Sequence, residues 1–149
     1  MQLAPEVHAR GATEADLPAL IECDMRAQAD EARRTTLRSW CEQGHVSLAE
    51  AEGIVLGFLV LEHTLFGHGF IPLLCVRPSA RRGGVARLLL ANAERLCQTA
   101  KLFTSANASN FAAQALLLSA GFVHSGRIEN LDAGDPELVF YKPLSEHEA

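Results

Sequence analysis

Residues 70–90 read FIPLLCVRPSARRGGVARLLL, a run that starts as an apolar strand and finishes as the opening turns of a helix. Arg77, Arg81, Arg82, Gly83 and Gly84 lie between the two halves. The start of a helix leaves several backbone N–H groups without partners, and its dipole favours negative charge there. Two adjacent glycines let a ligand come close to the main chain. The junction is therefore expected to cradle an anion.

Charge distribution agrees with this reading. The chain of 149 residues has a net charge of −5, yet residues 63–93 hold no Asp or Glu and carry Arg77, Arg81, Arg82 and Arg87. A solvated arginine face beside a tight turn would explain the charges alone, but not the glycine pair. An acidic chain of pI about 5.6 without an aromatic-laced basic face argues against nucleic acid as a partner. A small anionic ligand suits the single basic island.

With 48% hydrophobic and 21% charged residues, the composition is that of an ordinary globular protein, and residues 1–149 are read as a single domain. No apolar run approaches the ~18 residues of a membrane span, and the start MQLAPEVHAR lacks the pattern of a signal peptide. The expectation is a cytoplasmic protein. Cys23, Cys41, Cys75 and Cys97 are widely spaced and read as buried thiols. His8, His45, His124 and His147 share no ligand spacing, so no metal site is expected.

Outward from the junction, residues 7–10 alternate as a strand and Thr13 opens a helix carrying Leu17, Leu20, Ile21 and Met25. A second helix is predicted over about 27–42 and is stopped by Gly44. From His45 the period changes to two, giving a hairpin of HVSLAEAE and IVLGFLVLEH around Glu52-Gly53. Residues 64–69 read as a loop and FIPLLCV as the next strand. Pro72 cannot donate a ladder bond, so that strand is predicted to be bulged or splayed from a neighbour.

After Gly84 comes an amphipathic helix, then a short strand over 101–105 and a helix capped by Ser109 or Asn110 and closed by Gly121. Strands over 123–131 and 137–142 follow, joined by the turn-rich residues 132–136. This order predicts a mixed α/β domain with a central sheet and helices on both faces.

Neither G-x-x-x-x-G-K-[ST] nor G-x-G-x-x-G occurs in the chain. Val76-x-Pro78-x-x-Arg81-Arg82-x-Gly84-Val85-Ala86 resembles the R/Q-x-x-G-x-G/A acyl-CoA signature of the GNAT superfamily of N-acetyltransferases. Asn110-x-x-Ala113, Leu116 and Gly121-Phe122 resemble the same family's N-x-x-A…GF helix. The motifs occur in the family's order. The resemblance implies a mixed, mostly antiparallel sheet of six to seven strands with a splayed pair near Pro72 and Val76. It implies acetyl-CoA as co-substrate, with the backbone of Leu74, Cys75 and Val76 meeting the pantetheine arm. N–H groups from Arg82 through Gly83, Gly84 and Val85 to Ala86 would bind the pyrophosphate, flanked by Arg81 and Arg87, and Asn110 would contact the cofactor.

One departure concerns proton transfer: where the family often has a Tyr seven residues after that Asn, this chain has Leu117. A thiol of pKa ~8.5 is a fair leaving group, so its protonation can come from water. The acceptor is harder. Freeing the lone pair of an alkylamine near pKa ~10.4 at neutral pH costs about 4–5 kcal/mol, so a base or water relay is expected. Glu62, then His63, at the end of the preceding strand are the first candidates; His68, Glu129 and Asp132 follow.

The expected reaction is direct attack of a small-molecule or peptide amine on the thioester, in one ternary complex and without an enzyme nucleophile. Two alternatives stand beside a small-amine acetyltransferase: an acyl-CoA-binding module without turnover, and an enzyme acting on a protein N-terminus or lysine. An exposed strand edge near the C-terminus suits a homodimer. The segments that would shape the acceptor pocket carry no specificity signal.

Overall fold

The computed structural model describes residues 6–144; the chain start MQLAP and His147, both read above, lie outside them. Strands β1 (His8–Gly11), β2 (Val46–Ala51), β3 (Ile54–Leu65), β4 (His68–Val76), β5 (Lys101–Asn107), β6 (Val123–Ile128) and β7 (Glu137–Pro143) form one sheet. Its order is β1-β2-β3-β4-β5-β7-β6. The pairings of β1 with β2, β2 with β3, β5 with β7 and β6 with β7 are antiparallel, whereas β4 and β5 run parallel. Among the described residues five α-helices accompany the sheet: α1 (Leu17–Cys23), α2 (Met25–Ala29), α3 (Glu31–Glu42), α4 (Val85–Leu96) and α5 (Phe111–Ser119). The expected mixed, mostly antiparallel sheet is present.

The chain divides into two compact units. One holds the described residues up to Val60 together with Leu73–Ala93; the other holds Leu61–Pro72 and everything from Glu94. In the first, consecutive residues of β2 (Val46, Ser47, Leu48, Ala49) and of β3 (Phe58, Leu59, Val60) are buried, which requires cover on both faces of these strands. Leu17, Leu20 and Leu37 from α1 and α3 join Leu48, Val55 and Phe58 in its core. Arg10 bonds both Asp16 and Glu50, and this guanidinium holds the Asp16 carboxyl down to about 2.

In the second unit burial fades toward the edge. β5 alternates, with Leu102, Thr104 and Ala106 buried and Phe103, Ser105 and Asn107 half-buried. Phe122, Phe140 and Leu117 fill its core, while β6 is exposed along its whole length. Among the described residues no helix is long and apolar enough to cross a membrane.

Three sequence expectations are corrected. The helix predicted over 27–42 is two helices, because Asp24 and Asp30 are extended and each caps the helix that follows. Asp24 Oδ1 accepts from Arg26 N at 3.1 Å, and Asp30 Oδ1 accepts from Ala32 N at 2.9 Å. Residues 64–69 are not a loop. β3 runs to Leu65 and β4 starts at His68, with Phe66 and Gly67 as a tight turn at φ 52° and 81°. The short strand predicted over 101–105 extends to Asn107, where it stays paired with β7.

β3 and β4 approach each other closely at Gly57. A Cβ there would lie 2.7 Å from the Cys75 carbonyl oxygen and 3.2 Å from Val76 Cα, both backbone atoms that cannot rotate away. Gly57→Ala is expected to lower stability by about 1–3 kcal/mol, measured by urea denaturation; an unchanged midpoint would contradict the close approach.

Candidate active site

The parallel ladder of β4 with β5 consists of Gly69↔Leu102, Phe70↔Phe103 and Ile71↔Thr104. It ends immediately before Pro72, the residue without an N–H. β4 continues to Val76. Leu73 and Cys75 pack against the core of the first unit, and strand alternation sends Leu74 and Val76 to the opposite face.

After β4 the chain turns through Pro78–Ala80 and then Arg81 to Gly84 before α4 begins at Val85. Arg82 and Gly84 both adopt left-handed backbone, at φ 69° and 82°. A non-glycine residue held there is strained, and such strain gathers at ligand-binding turns. Leu88 N–H donates to Gly84 O at 3.0 Å, the opening bond of the helical ladder. The N–H groups of Val85 and Ala86 precede that bond in the chain, ahead of the helical ladder. Val85 is buried and anchors the turn, while Arg81, Arg82, Gly83, Gly84 and Arg87 are exposed.

Arg77 separates from this group. Its Nε donates to Val55 O at 3.0 Å, its side chain pairs with Glu22 at 3.1 Å, and its backbone N–H donates to Leu56 O at 2.7 Å. It bolts the end of β4 to β3. The basic island read from sequence thus contains one structural arginine beside the exposed Arg81, Arg82 and Arg87.

In the second unit, Asn110 caps α5, its Oδ1 accepting from Ala113 N at 3.1 Å. The residues before it are pinned by the β6–β7 connection. Asp135 accepts from Ser109 N at 2.9 Å and from Ser109 Oγ at 2.6 Å. Asn107 Nδ2 donates to Asp132 Oδ2 at 2.9 Å, and Ala108 N to Pro136 O at 2.8 Å. The turn-rich spacing of residues 132–136 was legible in the sequence; that it fastens the start of α5 was not.

Glu62 and His63 do not close their strand as expected, because β3 continues to Leu65. Both are half-buried. Glu62 Oε2 accepts from Thr64 Oγ1 at 3.1 Å, and His63 Nε2 accepts from the Gln98 N–H at 3.0 Å. That bond occupies the only lone pair at His63 Nε2, which leaves Glu62 the better placed of the two for accepting a proton. Leu117 is buried in the core, and Tyr141 is stacked on Phe103 with centroids 5.2 Å apart.

Sequence reasoning missed a buried ion pair. Asp24, 5% exposed, sits 3.4 Å from Arg33 Nε, and neither Oδ2 nor Nε makes a hydrogen bond. Arg33 also lines an open cleft of ≈ 130 Å³ with Arg26, Asp30, Ala32 and Thr36. Among the described residues no three His, Cys, Asp or Glu side chains are placed to hold a metal ion.

The profile of the acetyltransferase (GNAT) family matches residues 14–122, a span that crosses both units. The chain belongs to the GNAT acetyltransferase family. A GNAT-family acetyltransferase from Bacillus cereus is 31% identical, with a TM-score of 0.87 over 93% of this chain and 97% of that one. A ribosomal-protein-alanine N-acetyltransferase from Brucella melitensis is 28% identical, with a TM-score of 0.70 over 91% and 99%. An acetyltransferase structure from Salmonella typhimurium, described with its cofactor acetyl-CoA, is 21% identical, with a TM-score of 0.69 over 96% of each chain. No curated protein sequence matches this one.

Cys75, the one cysteine on β4, is chemically quiet. Burial, and next the charge of Asp24, push the Cys75 thiol up to about 12, so almost none is thiolate at neutral pH. Cys75→Ser is expected to keep acetyl transfer within about threefold of the parent. Loss of all transfer, with the folded state intact by circular dichroism, would make Cys75 a carrier.

Proposed function

We propose that this GNAT acetyltransferase moves the acetyl group of acetyl-CoA to a primary amine by direct attack in a ternary complex. The observation that carries the reading is the turn into α4. Left-handed backbone at Arg82 and Gly84 precedes the N–H groups of Val85 and Ala86, which lie ahead of the helical ladder, and Arg81, Arg82 and Arg87 flank them on the surface. A pyrophosphate fits that arrangement in charge and in donor type. The structure of similar fold that carries acetyl-CoA supports the same choice of ligand.

In this reading the pantetheine arm runs along Leu74, Cys75 and Val76, the part of β4 beyond its ladder with β5. Asn110 adds a contact through its side-chain NH2, since its Oδ1 is the atom that caps α5. The amine nitrogen attacks the thioester carbonyl, the carbon becomes tetrahedral, and negative charge gathers on its oxygen. A backbone N–H of the β4 segment stabilises that charge. The C–S bond then breaks and the thiolate takes a proton from water, since Leu117 supplies none. Glu62, aided by water, receives the proton lost by the amine. The acceptor is a small amine or a peptide. The similarity to a ribosomal-protein-alanine N-acetyltransferase favours a peptide.

Calorimetry on the full chain is expected to give saturable acetyl-CoA binding. Gly84→Val, which places a β-branched side chain at φ 82°, should weaken that binding at least tenfold. Absence of heat on folded protein would refute the reading. The base assignment is checked separately: Glu62→Gln is expected to lower kcat/KM by about 10²-fold while acetyl-CoA binding by calorimetry stays unchanged. A rate within about threefold of the parent would dismiss Glu62.

A further inference from the structure

The turn between β3 and β4 runs against the preferences of its own backbone. Phe66 and Gly67, at φ 52° and 81°, are the two central residues of a hairpin turn in which both positions are left-handed. Such turns favour Asn or Asp followed by Gly, because a bulky side chain is strained at positive φ. Here the first position holds a phenylalanine, and it is 95% exposed. Backbone strain and an apolar ring in water both count against the folded state, so folding does not explain Phe66.

The turn belongs to the second unit, and the same unit surrounds it with cations. Gly69 N donates to Thr99 Oγ1 at 3.1 Å and Gln98 N to His63 Nε2 at 3.0 Å, which holds the connection from α4 to β5 beside the hairpin. His68 and Lys101 each come one residue before the parallel ladder that starts with Gly69 and Leu102. Lys101 and Arg95 are exposed, and Leu96 at the end of α4 is 45% exposed. Carboxylates are scarce here. Glu94, the only one between His63 and Ile128, pairs with Lys142 at 2.8 Å, and Glu62 on the hairpin accepts from Thr64 Oγ1.

We propose that this hairpin tip docks the protein on an anionic lipid surface, with Phe66 entering among the headgroups and Lys101 and Arg95 meeting their phosphates. Area selects the occupant. A buried aromatic side chain supplies about 150–250 Å², well below the ~800 Å² that each partner contributes to a stable protein complex. A lipid interface takes up a single ring without a matching surface, and nearby cations add an attraction that salt screens. The contact is peripheral and reversible, since one ring and two cations fall short of a permanent anchor. It is independent of the proposed transfer chemistry, because the tip precedes β4 whereas the turn from Arg81 to Gly84 follows it.

The test sediments the full chain with vesicles of phosphatidylcholine, alone or with about 30% phosphatidylserine. Binding to the anionic vesicles is expected to exceed binding to the neutral ones at least tenfold at low ionic strength, and to fall severalfold as salt rises. Phe66→Asn installs a residue that the turn prefers. It should raise the urea midpoint, cut binding to the anionic vesicles at least fivefold and leave acetyl-CoA binding by calorimetry unchanged. Absence of binding to the anionic vesicles, equal binding to both kinds, or undiminished binding by the variant would overturn the proposal. A lower urea midpoint for Phe66→Asn would also overturn it, by making Phe66 a structural residue. So would a Phe66-dependent complex with a protein in the absence of vesicle binding.

Discussion

A prolyl nitrogen at position 72 has no proton to donate, and the parallel ladder between β4 and β5 stops at the residue before it. Much of the molecule is arranged around that stop. Before it, β4 is held through Gly69, Phe70 and Ile71. After it, the strand is secured from the β3 side, by the close approach at Gly57 and by Arg77, which ties its end to Val55 and Leu56. A strand anchored in this way holds its place beyond the end of the ladder, and in the proposed reaction main-chain donors held so firmly would need no reorganisation as charge develops on a thioester oxygen.

The arginines illustrate how similar residues in one stretch take different work. Arg77 is consumed by carbonyls of β3 and by Glu22, whereas Arg81, Arg82 and Arg87 are exposed around the helix start, Arg81 reaching back with its Nε to Val76 O at 3.4 Å. Burial is the difference, because a guanidinium beside a strand end must satisfy its donors internally. The left-handed residues at 82 and 84 have a related cause. The chain must leave an extended strand and enter α4 within a few residues, and the strained, exposed backbone there accommodates that change of direction.

Chemistry at the transfer point is spare in proton donors. Leu117 belongs to the core, the ring of Tyr141 packs at a tilt against Phe103, and Cys75 is kept protonated by burial. This inventory fits an enzyme that works by positioning and electrostatics, with an amine as nucleophile and a thiolate able to leave unaided.

The family was readable from residues alone, because its signature is backbone chemistry written in glycines, prolines and caps: Gly83-Gly84 at a helix start, Pro72 in a strand, Asn110 before α5. Such residues act locally, and local rules survive translation from sequence to structure. Asp24 and Asp30 carried a local signal of the same kind, two helix caps, but a continuous helical periodicity masked it. What only the tertiary structure decided depends on residues distant in sequence. Arg77 meets Glu22, Gly57 meets Cys75, His63 meets Gln98, and Asp135 holds Ser109. Pattern reading assigns a residue type and a face, whereas these pairings require strands and turns tens of residues apart to be brought into register. That register is set by burial of the whole sheet, not by any stretch within it.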